Sequence, residues 1–456
     1  MDAFMNFLTA IVDTISSFLW DYALMYLLVA TGIYFTIRLG FIQLRKFGAG
    51  LKAMFGGFSL HGKSGEDGLS SFQALTTAVA AQVGTGNIAG AATAIASGGP
   101  GAIFWMWLSA FFGMATIYAE AVLAQHTRRK VDGSFVGGPV YYIKAIFKGK
   151  FGKFLAGFFS IALILALGFM GNMVQSNSIG DSFKNAFGIP PLVMGIIVAA
   201  AAGFIFLGGI QRIARFTEKI VPIMALFYII GCVVILIMNP AGVAKAFHDI
   251  FVMAFSPQSV AGGVAGITVQ KAMRFGIARG LFSNEAGMGS TPHAHATASV
   301  KHPGDQGLIA MMGVFVDTFI ILTLTALVIL STGALDSGLT GSALAQFAFN
   351  SAFSSFGDAF IAICMLFFAF TTIIGWYFFG EVNVKYLFGQ KAVKVYALLV
   401  ILFVVIGSCL KVTLVWNMSD MFNGLMVLPN LIGVLALTGV VVLLSREHDE
   451  QRRLGK

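Results

Sequence analysis

The chain has 456 residues, of which 57% are apolar and only 11% charged; 29 basic and 20 acidic side chains leave a net charge of +9. Soluble domains run nearer about 25% charged and 45–50% apolar. The polar surface here is too small to cover a water-soluble globule, which excludes a soluble enzyme and a disordered regulator. The basic residues are scattered through short loops rather than gathered on one face, which excludes a nucleic-acid binder.

The N-terminus carries Asp2, Asp13 and Asp21 and no Lys or Arg before Arg38, unlike a cleaved signal peptide with its basic start. Residues 1–19 form an apolar but interrupted run that reads as a segment lying along the membrane surface. A helix crossing the ~30 Å hydrocarbon core needs about 20 mainly apolar residues. Eleven such spans follow: 21–37, 70–96, 101–124, 154–179, 192–207, 220–238, 264–288, 308–330, 359–379, 395–410 and 422–444. The seventh holds Lys271, Arg274, Arg279 and Glu285 in or beside it. Long apolar runs argue for helices rather than a β-barrel, so the expected fold is an all-α polytopic membrane protein. Cys232, Cys364 and Cys409 lie singly in apolar runs and read as small membrane-buried residues.

Loop charge orients this bundle. Arg38, Arg45, Lys46, Lys52 and Lys63 follow the first span, and Arg128, Arg129, Lys130, Lys144, Lys148, Lys150 and Lys153 the third. Arg212, Arg215 and Lys219 follow the fifth, Lys385, Lys391 and Lys394 the ninth, and the tail holds Arg446, Arg452, Arg453 and Lys456. Loops 97–100 and 332–358 contain no Lys or Arg. Positive loops stay cytoplasmic, which puts the N-terminus outside and the C-terminus inside and suits an odd number of spans.

The second span contains AAQVGTGNIAG at 80–90. Gly84–Asn87 occupies positions 10 to 13 of the 21 residues from 75 to 95, close to the bilayer midplane at ~1.5 Å per residue. Two glycines weaken the helix there by about 1 kcal/mol each. They serve either tight packing of small residues or carbonyls freed from the helix, which are tolerated at this depth only where they line a cavity. The seventh span carries a second interruption, RGLFSNEAGMGS at 279–290. It lies five spans after the first, and five is odd, so the two enter from opposite sides. Spans 2–6 and 7–11 then form an inverted repeat in which each half opens with a discontinuous helix, the sequence pointer to a transporter site at the midplane. The expected organisation is 1–69 for a surface segment, first span and cytoplasmic loop, 70–240 for repeat 1, 241–260 for an extracellular connection, 261–445 for repeat 2 and 446–456 for a cytoplasmic tail.

Other polar residues admit two readings each. Thr371 and Thr372, mid-span in the ninth helix, either bond their own i−4 carbonyl or face freed carbonyls as oxygen ligands of a hard cation such as Na⁺. Gln175 and Trp376 act as interhelical glue and filler, or as an amide contact and a lid over a small ligand. Glu285 costs roughly 2.5–3.5 kcal/mol at depth and so faces the bundle interior or water; it either pairs with Arg279 or Arg274 or takes a coupling role. Glu120, Asp317 and Glu381 carry little information by position. His293 and His295 lack acidic or Cys partners nearby and are not read as a metal site. No Ser-His-Asp, HExxH or Walker sequence is present, so uphill movement would draw on an ion gradient, in which a monovalent cation gains about 2.3 kcal/mol per 100 mV.

The stretch GGPGAIFWMWLSAFFG at 98–113 resembles the signature of the alanine/glycine:cation symporter family. Gly84-Thr-Gly-Asn87, GLFSNEAG at 280–287 and Gly375-Trp376 are similar to further family motifs. The resemblance runs from Tyr34 to the last span. It implies the five-plus-five inverted-repeat fold of the amino-acid and neurotransmitter sodium symporters, with one extra N-terminal span. It further implies uptake of alanine or glycine with Na⁺, less often H⁺, across a bacterial or archaeal plasma membrane. By that resemblance Thr85, Gly86 and Asn87 offer backbone amides to the substrate carboxylate. Phe282, Ser283 and Asn284 contribute from the second break, and Gln175 and Trp376 match substrate-contact positions. The cation site falls at Ala80, Val83, Thr371 and Thr372. The implied partners are a small neutral amino acid, Na⁺ as coupling ion and the lipid bilayer, with no other cofactor and no obligate protein partner. A carrier of glutamine or another neutral amino acid is the alternative within the class; a channel would want a symmetric pore, which two dissimilar breaks in one chain do not supply.

Overall fold

In lipid the backbone must satisfy its own N–H and C=O groups, and long apolar runs do so as helices. The computed structural model describes residues 2–56, 68–131, 133–255, 269–410 and 412–454. In chain order the principal helices are α1 (Ala10–Arg38), the short pair α2 (Ser71–Gln82) and α3 (Ala91–Gly98), α4 (Gly101–Thr127), α5 (Gly149–Phe187) and α6 (Pro191–Phe206). They continue with α7 (Gly209–Met238), α8 (Pro240–Met253), α9 (Val269–Asn284), α10 (Pro303–Ser331) and α11 (Gly341–Phe353). Last come α12 (Phe356–Phe388), α13 (Ala392–Cys409), α14 (Val415–Ala436) and α15 (Thr438–Arg453). Among the described residues β structure is confined to an antiparallel hairpin, Arg129–Val131 with Ser134–Val136, in the basic loop after α4, and an isolated parallel bridge between Leu69 and Ala298.

Among the described residues eight helices are long and apolar enough to cross a membrane: α1, α4, α5, α7, α10, α12, α13 and α14. The three other expected spans fall short for identifiable reasons. Span 70–96 is split into α2 and α3, span 192–207 is the 16-residue α6, and span 264–288 is α9 of 16 residues, with 264–268 outside the described residues. Lys63 and Lys456 also lie outside them.

Residues 10–19 continue into the first span through a π-turn at Leu19–Ala23, with Leu19 and Trp20 buried and the Trp20 indole N–H donating to Asp420 O at 3.0 Å. Two expectations are corrected. The last span does not run through 422–444, because α14 ends at Ala436 and α15 begins at Thr438. Cys232 and Cys364 are buried, but Cys409 is exposed at the end of α13.

The outer helices present their apolar residues outward: Ile196, Ile197 and Phe204 on α6, Ile223 and Leu226 on α7, and Leu398 and Leu402 on α13 are exposed. So wide an apolar surface belongs against lipid. Polar side chains turn inward instead, toward α2, α5, α9, α10 and α12, where Thr85, Asn87, Gln175, Ser283, Asp317 and Thr372 are fully buried.

Candidate functional site

A capping box opens the first broken helix: Ser70 Oγ accepts the Gln73 N–H while Gln73 Oε1 accepts the Ser70 N–H, both at 3.1 Å. The helix runs twelve residues to Gln82 and stops at Val83, whose φ/ψ of −81°/89° is not helical. After Gly84 and Thr85 the chain resumes as a π-turn, Gly86–Gly90, before α3. Neither Gly84 nor Gly86 has positive φ. They are glycines because neighbours come close: a Cβ at Gly84 would collide with Thr372 Oγ1, and one at Gly86 would sit 3.0 Å from Ser283 Cα. Thus the first break touches α12 on one side and the second broken helix on the other.

The second break is built differently. Helix α9 ends at Asn284, and Glu285, Gly287 and Gly289 take φ of 58°, 91° and 79°, the left-handed region that favours glycine. The amides exposed by this turn meet a carboxylate: Glu120 of α4 accepts from the N–H of Gly287 and of Gly289, each at 3.0 Å, and from Asn430 Nδ2 at 2.6 Å. One carboxyl group, brought from another helix, bridges the two amides of the turn.

Between the breaks lies a polar knot. Thr85 N–H donates to Gln175 Oε1 at 3.1 Å, and Gly84 N–H to Asn87 Oδ1 at 2.9 Å. Asn87 Nδ2 donates to Asp317 Oδ1 at 2.7 Å, which also accepts from Ser283 Oγ at 2.9 Å, while Asp317 Oδ2 accepts from Thr318 Oγ1 at 2.8 Å. Asn284 Nδ2 donates to Thr318 Oγ1 at 3.1 Å, and Asn284 O accepts from Gln82 Nε2 at 2.7 Å. Asp317 stands in a π-helical stretch of α10, Phe315–Leu322, a local widening frequent at functional sites. Asp317→Ala should strand Ser283 and Thr318 at about 1–3 kcal/mol each, while Asn87 Nδ2 keeps its bond to the Asp317 backbone O at 3.1 Å. The check is the melting temperature in detergent, and wild-type melting would show that the knot contributes nothing.

Trp376 and Phe282 meet edge to face, with ring centroids 5.5 Å apart, and the Trp376 indole N–H donates to Glu285 Oε1 at 2.5 Å. The other Glu285 oxygen accepts from Ser290 Oγ at 2.5 Å. Neither arginine reaches Glu285. Arg279 forks onto Asp420 at 2.8 and 2.7 Å, and Arg274 pairs with Asp21 at 2.6 Å, so the ion pair expected for Glu285 is replaced by an indole and a hydroxyl. Among the described residues Glu120, Glu285 and Asp317 are matched by hydrogen-bond donors and not by Lys or Arg.

The two threonines of α12 part company. Thr372 Oγ1 lies 2.9 Å from Ala80 O, 3.0 Å from Phe368 O and 3.5 Å from Val83 O, joining α12 to the carbonyls just before the first break. Thr371 Oγ1 instead donates to Phe368 O at 2.9 Å and faces Met224 Sδ at 3.6 Å. The structure therefore brings Thr372, Ala80 and Val83 together and leaves Thr371 outside. His293 is stacked on Phe159, with Nδ1 at Ser290 O and Nε2 at Asn383 Nδ2, and His295 Nδ1 meets Gln306 Nε2.

Comparison with known proteins settles the family, since the chain matches the sodium:alanine symporter family over residues 5–456. The chain belongs to this family. It is 43% identical over 451 residues to a sodium/alanine symporter of Methanococcus maripaludis, covering 97% of this chain and 98% of that one. It is 40% identical over 448 residues to a probable sodium/glutamine symporter of Bacillus subtilis, covering 98% and 92%. Among solved structures it is similar to MhsT in complex with L-phenylalanine, with a TM-score of 0.58 at 14% identity over 84% of this chain and 98% of that one. A manganese transporter of Eremococcus coleocola gives 0.53 at 14% over 82% and 78%. At such identities the likeness is one of fold. The chain is thus a multi-pass membrane protein of a transporter family, built on a fold that solved transporters share.

Sequence reasoning passed over Asp317 and Glu120, both central to the two breaks. One signal was available: an acidic residue inside an apolar span is costly enough to mark a functional position by default. Its partners were out of reach, since Asn87 and Ser283 lie 230 and 34 residues away from Asp317.

Proposed function

We infer that the protein imports a small neutral amino acid, alanine or glycine, together with Na⁺ by alternating access. The observation that carries this reading is the polar geometry beside the first break. Gln175 spends Oε1 on the Thr85 N–H, which leaves its Nε2, and the Thr85 hydroxyl, buried and without a partner among the described residues. Buried donors are rarely left so, and a carboxylate accepting from Gln175 Nε2 and the Thr85 hydroxyl would satisfy them. Substrate contacts are assigned to Thr85, Gly86, Asn87, Gln175, Phe282, Ser283, Asn284 and Trp376, and the cation to Ala80, Val83 and Thr372. The hydroxyl of Thr372 has one proton for three nearby carbonyl oxygens, and the surplus lone pairs suit a hard cation.

The inverted halves 70–240 and 261–445, joined through 241–260, would rock about this shared centre, with the N-terminus outside and the C-terminus in the cytoplasm. The Methanococcus relative supports alanine with Na⁺. The Bacillus relative favours a second reading, glutamine on the same fold, which a larger pocket would admit.

The test is uptake of labelled alanine by proteoliposomes with and without an inward Na⁺ gradient, followed by competition with unlabelled glycine and glutamine. Uptake that ignores the Na⁺ gradient would overturn the coupling, and glutamine outcompeting alanine would move the assignment to the second reading. Gln175→Ala should weaken alanine binding by about tenfold or more, the consequence of about 1.4 kcal/mol. Wild-type affinity in that variant would remove Gln175 from the site.

A further inference from the structure

Helix α5 carries a second unsatisfied amide that the site described so far does not use. Asn172 begins the α-helical part of α5 immediately after a π-helical stretch, Ile164–Gly171, and is fully buried. Its Nδ2 donates to Gly168 O, four residues back, at 3.1 Å. A carbonyl only accepts, so this bond fixes which end of the amide is nitrogen, and the free end is oxygen. That oxygen, Oδ1, has no hydrogen-bond partner among the described residues. Gln175 lies three residues on, hence on the same face of the helix, and the bond from Thr85 N–H fixes its free end as the Nε2 donor. One face of α5 therefore offers an unpaired acceptor and an unpaired donor a helical turn apart. Gly171, the residue before Asn172, lies against the proposed lid: a Cβ there would stand 2.5 Å from Trp376 Cζ3.

A zwitterionic α-amino acid carries the complementary pair, an ammonium that only donates and a carboxylate that only accepts, a few bonds apart. We propose that Asn172 is the ammonium acceptor of the cargo, so that α5 reads both ends of the zwitterion, amine at Asn172 and carboxylate at Gln175. This rests on the amino-acid reading above and deepens it: Asn172 makes the α-amino group a requirement, whatever the side chain. The π-helical stretch explains how the residue comes to face inward, since one wide turn rotates everything after it relative to the preceding helix.

The experiment measures alanine binding to purified wild type, Asn172→Ala and Asn172→Asp at saturating Na⁺, with melting temperature as the control for folding. Asn172→Ala removes the acceptor and should weaken alanine binding by about tenfold or more. Asn172→Asp keeps an oxygen for the ammonium but loses the Nδ2 bond to Gly168 O, and should stay within a few-fold of wild type. It should also admit ethylamine, which has an amine and no carboxylate, as a competitor that wild type ignores. If Asn172→Ala binds alanine as wild type does, a buried water serves Oδ1 and the proposal falls. If Asn172→Ala and Asn172→Asp are equally impaired, the bond to Gly168 is what matters, and the proposal again falls. Failure of wild type to bind alanine, glycine or glutamine would overturn the amino-acid reading and this assignment together, whereas wild-type binding with an indifferent Asn172→Ala overturns this assignment alone.

Discussion

Gly86→Leu is expected to yield a protein that inserts and purifies normally yet takes up no alanine at any Na⁺ concentration, measured in proteoliposomes beside wild type. The two broken helices cross at this point. An added Cβ would come within 3.0 Å of both Ser283 Cα and Ser283 Cβ, and leucine adds three more carbons beyond it. Overpacking of this kind typically costs 1–3 kcal/mol, which a domain stable by about 5–15 kcal/mol survives. Transport does not survive it, because the residues placed at the carboxylate, Thr85 to Asn87, sit on one side of the contact and Ser283 with Asp317 on the other. Separating them by even part of a side chain pulls Asn87 Nδ2 away from Asp317 Oδ1. Gly90→Ala supplies the control on the same π-turn: its Cβ would meet nothing nearer than Thr85 O at 3.7 Å, so uptake should be retained. Wild-type uptake by Gly86→Leu would show that the crossing is not part of the transport site.

What could be read from the residues alone follows from what repeats along one helix. Unbroken apolar runs of about 20 residues announce themselves, and so do two glycines two positions apart at mid-depth, because both signals are local. Length then misleads for the same physical reason that makes the site: α2 and α3 are short because the chain is broken between them. Pairings between helices were not legible. Glu285 stands six residues after Arg279, about 600° around an ideal helix and hence off its face, and the left-handed turn at Glu285 redirects it further, toward an indole 91 residues on. Arg279 in turn finds Asp420, 141 residues away. The carboxylates that organise the breaks, Glu120 and Asp317, each collect donors from other helices. A residue's position within its own span says nothing about such partners.

The adjacent threonines of α12 show the same limit at its smallest scale. Residues one apart on a helix point about 100° apart, so Thr371 and Thr372 need not share the same partners. Only Thr372 faces the carbonyls before the first break, at 2.9 Å from Ala80 O, while Thr371 turns to Met224. Thr372→Val, nearly isosteric but without the oxygen, should therefore raise the Na⁺ concentration for half-maximal uptake by about tenfold or more, the equivalent of about 1.4 kcal/mol of lost cation binding. Thr371→Val should leave the Na⁺ titration within about twofold, since its hydroxyl is committed to its own helix and a thioether. Alanine affinity at saturating Na⁺ should change far less in either variant, because neither residue is placed against the substrate. Linkage supplies a second measurement: whatever Na⁺ does for alanine binding, alanine must do for Na⁺ binding. The enhancement of alanine affinity by Na⁺ should then shrink in Thr372→Val by the same factor by which alanine's enhancement of Na⁺ binding shrinks. A cation held between α12 and the carbonyls of Ala80 and Val83 would tie the two proposed repeats together, and its loss would then uncouple closure from binding. An unchanged Na⁺ titration in Thr372→Val would mean that this hydroxyl only bridges two helices, and the oxygen-rich knot at Asp317 would become the place to look for the ion.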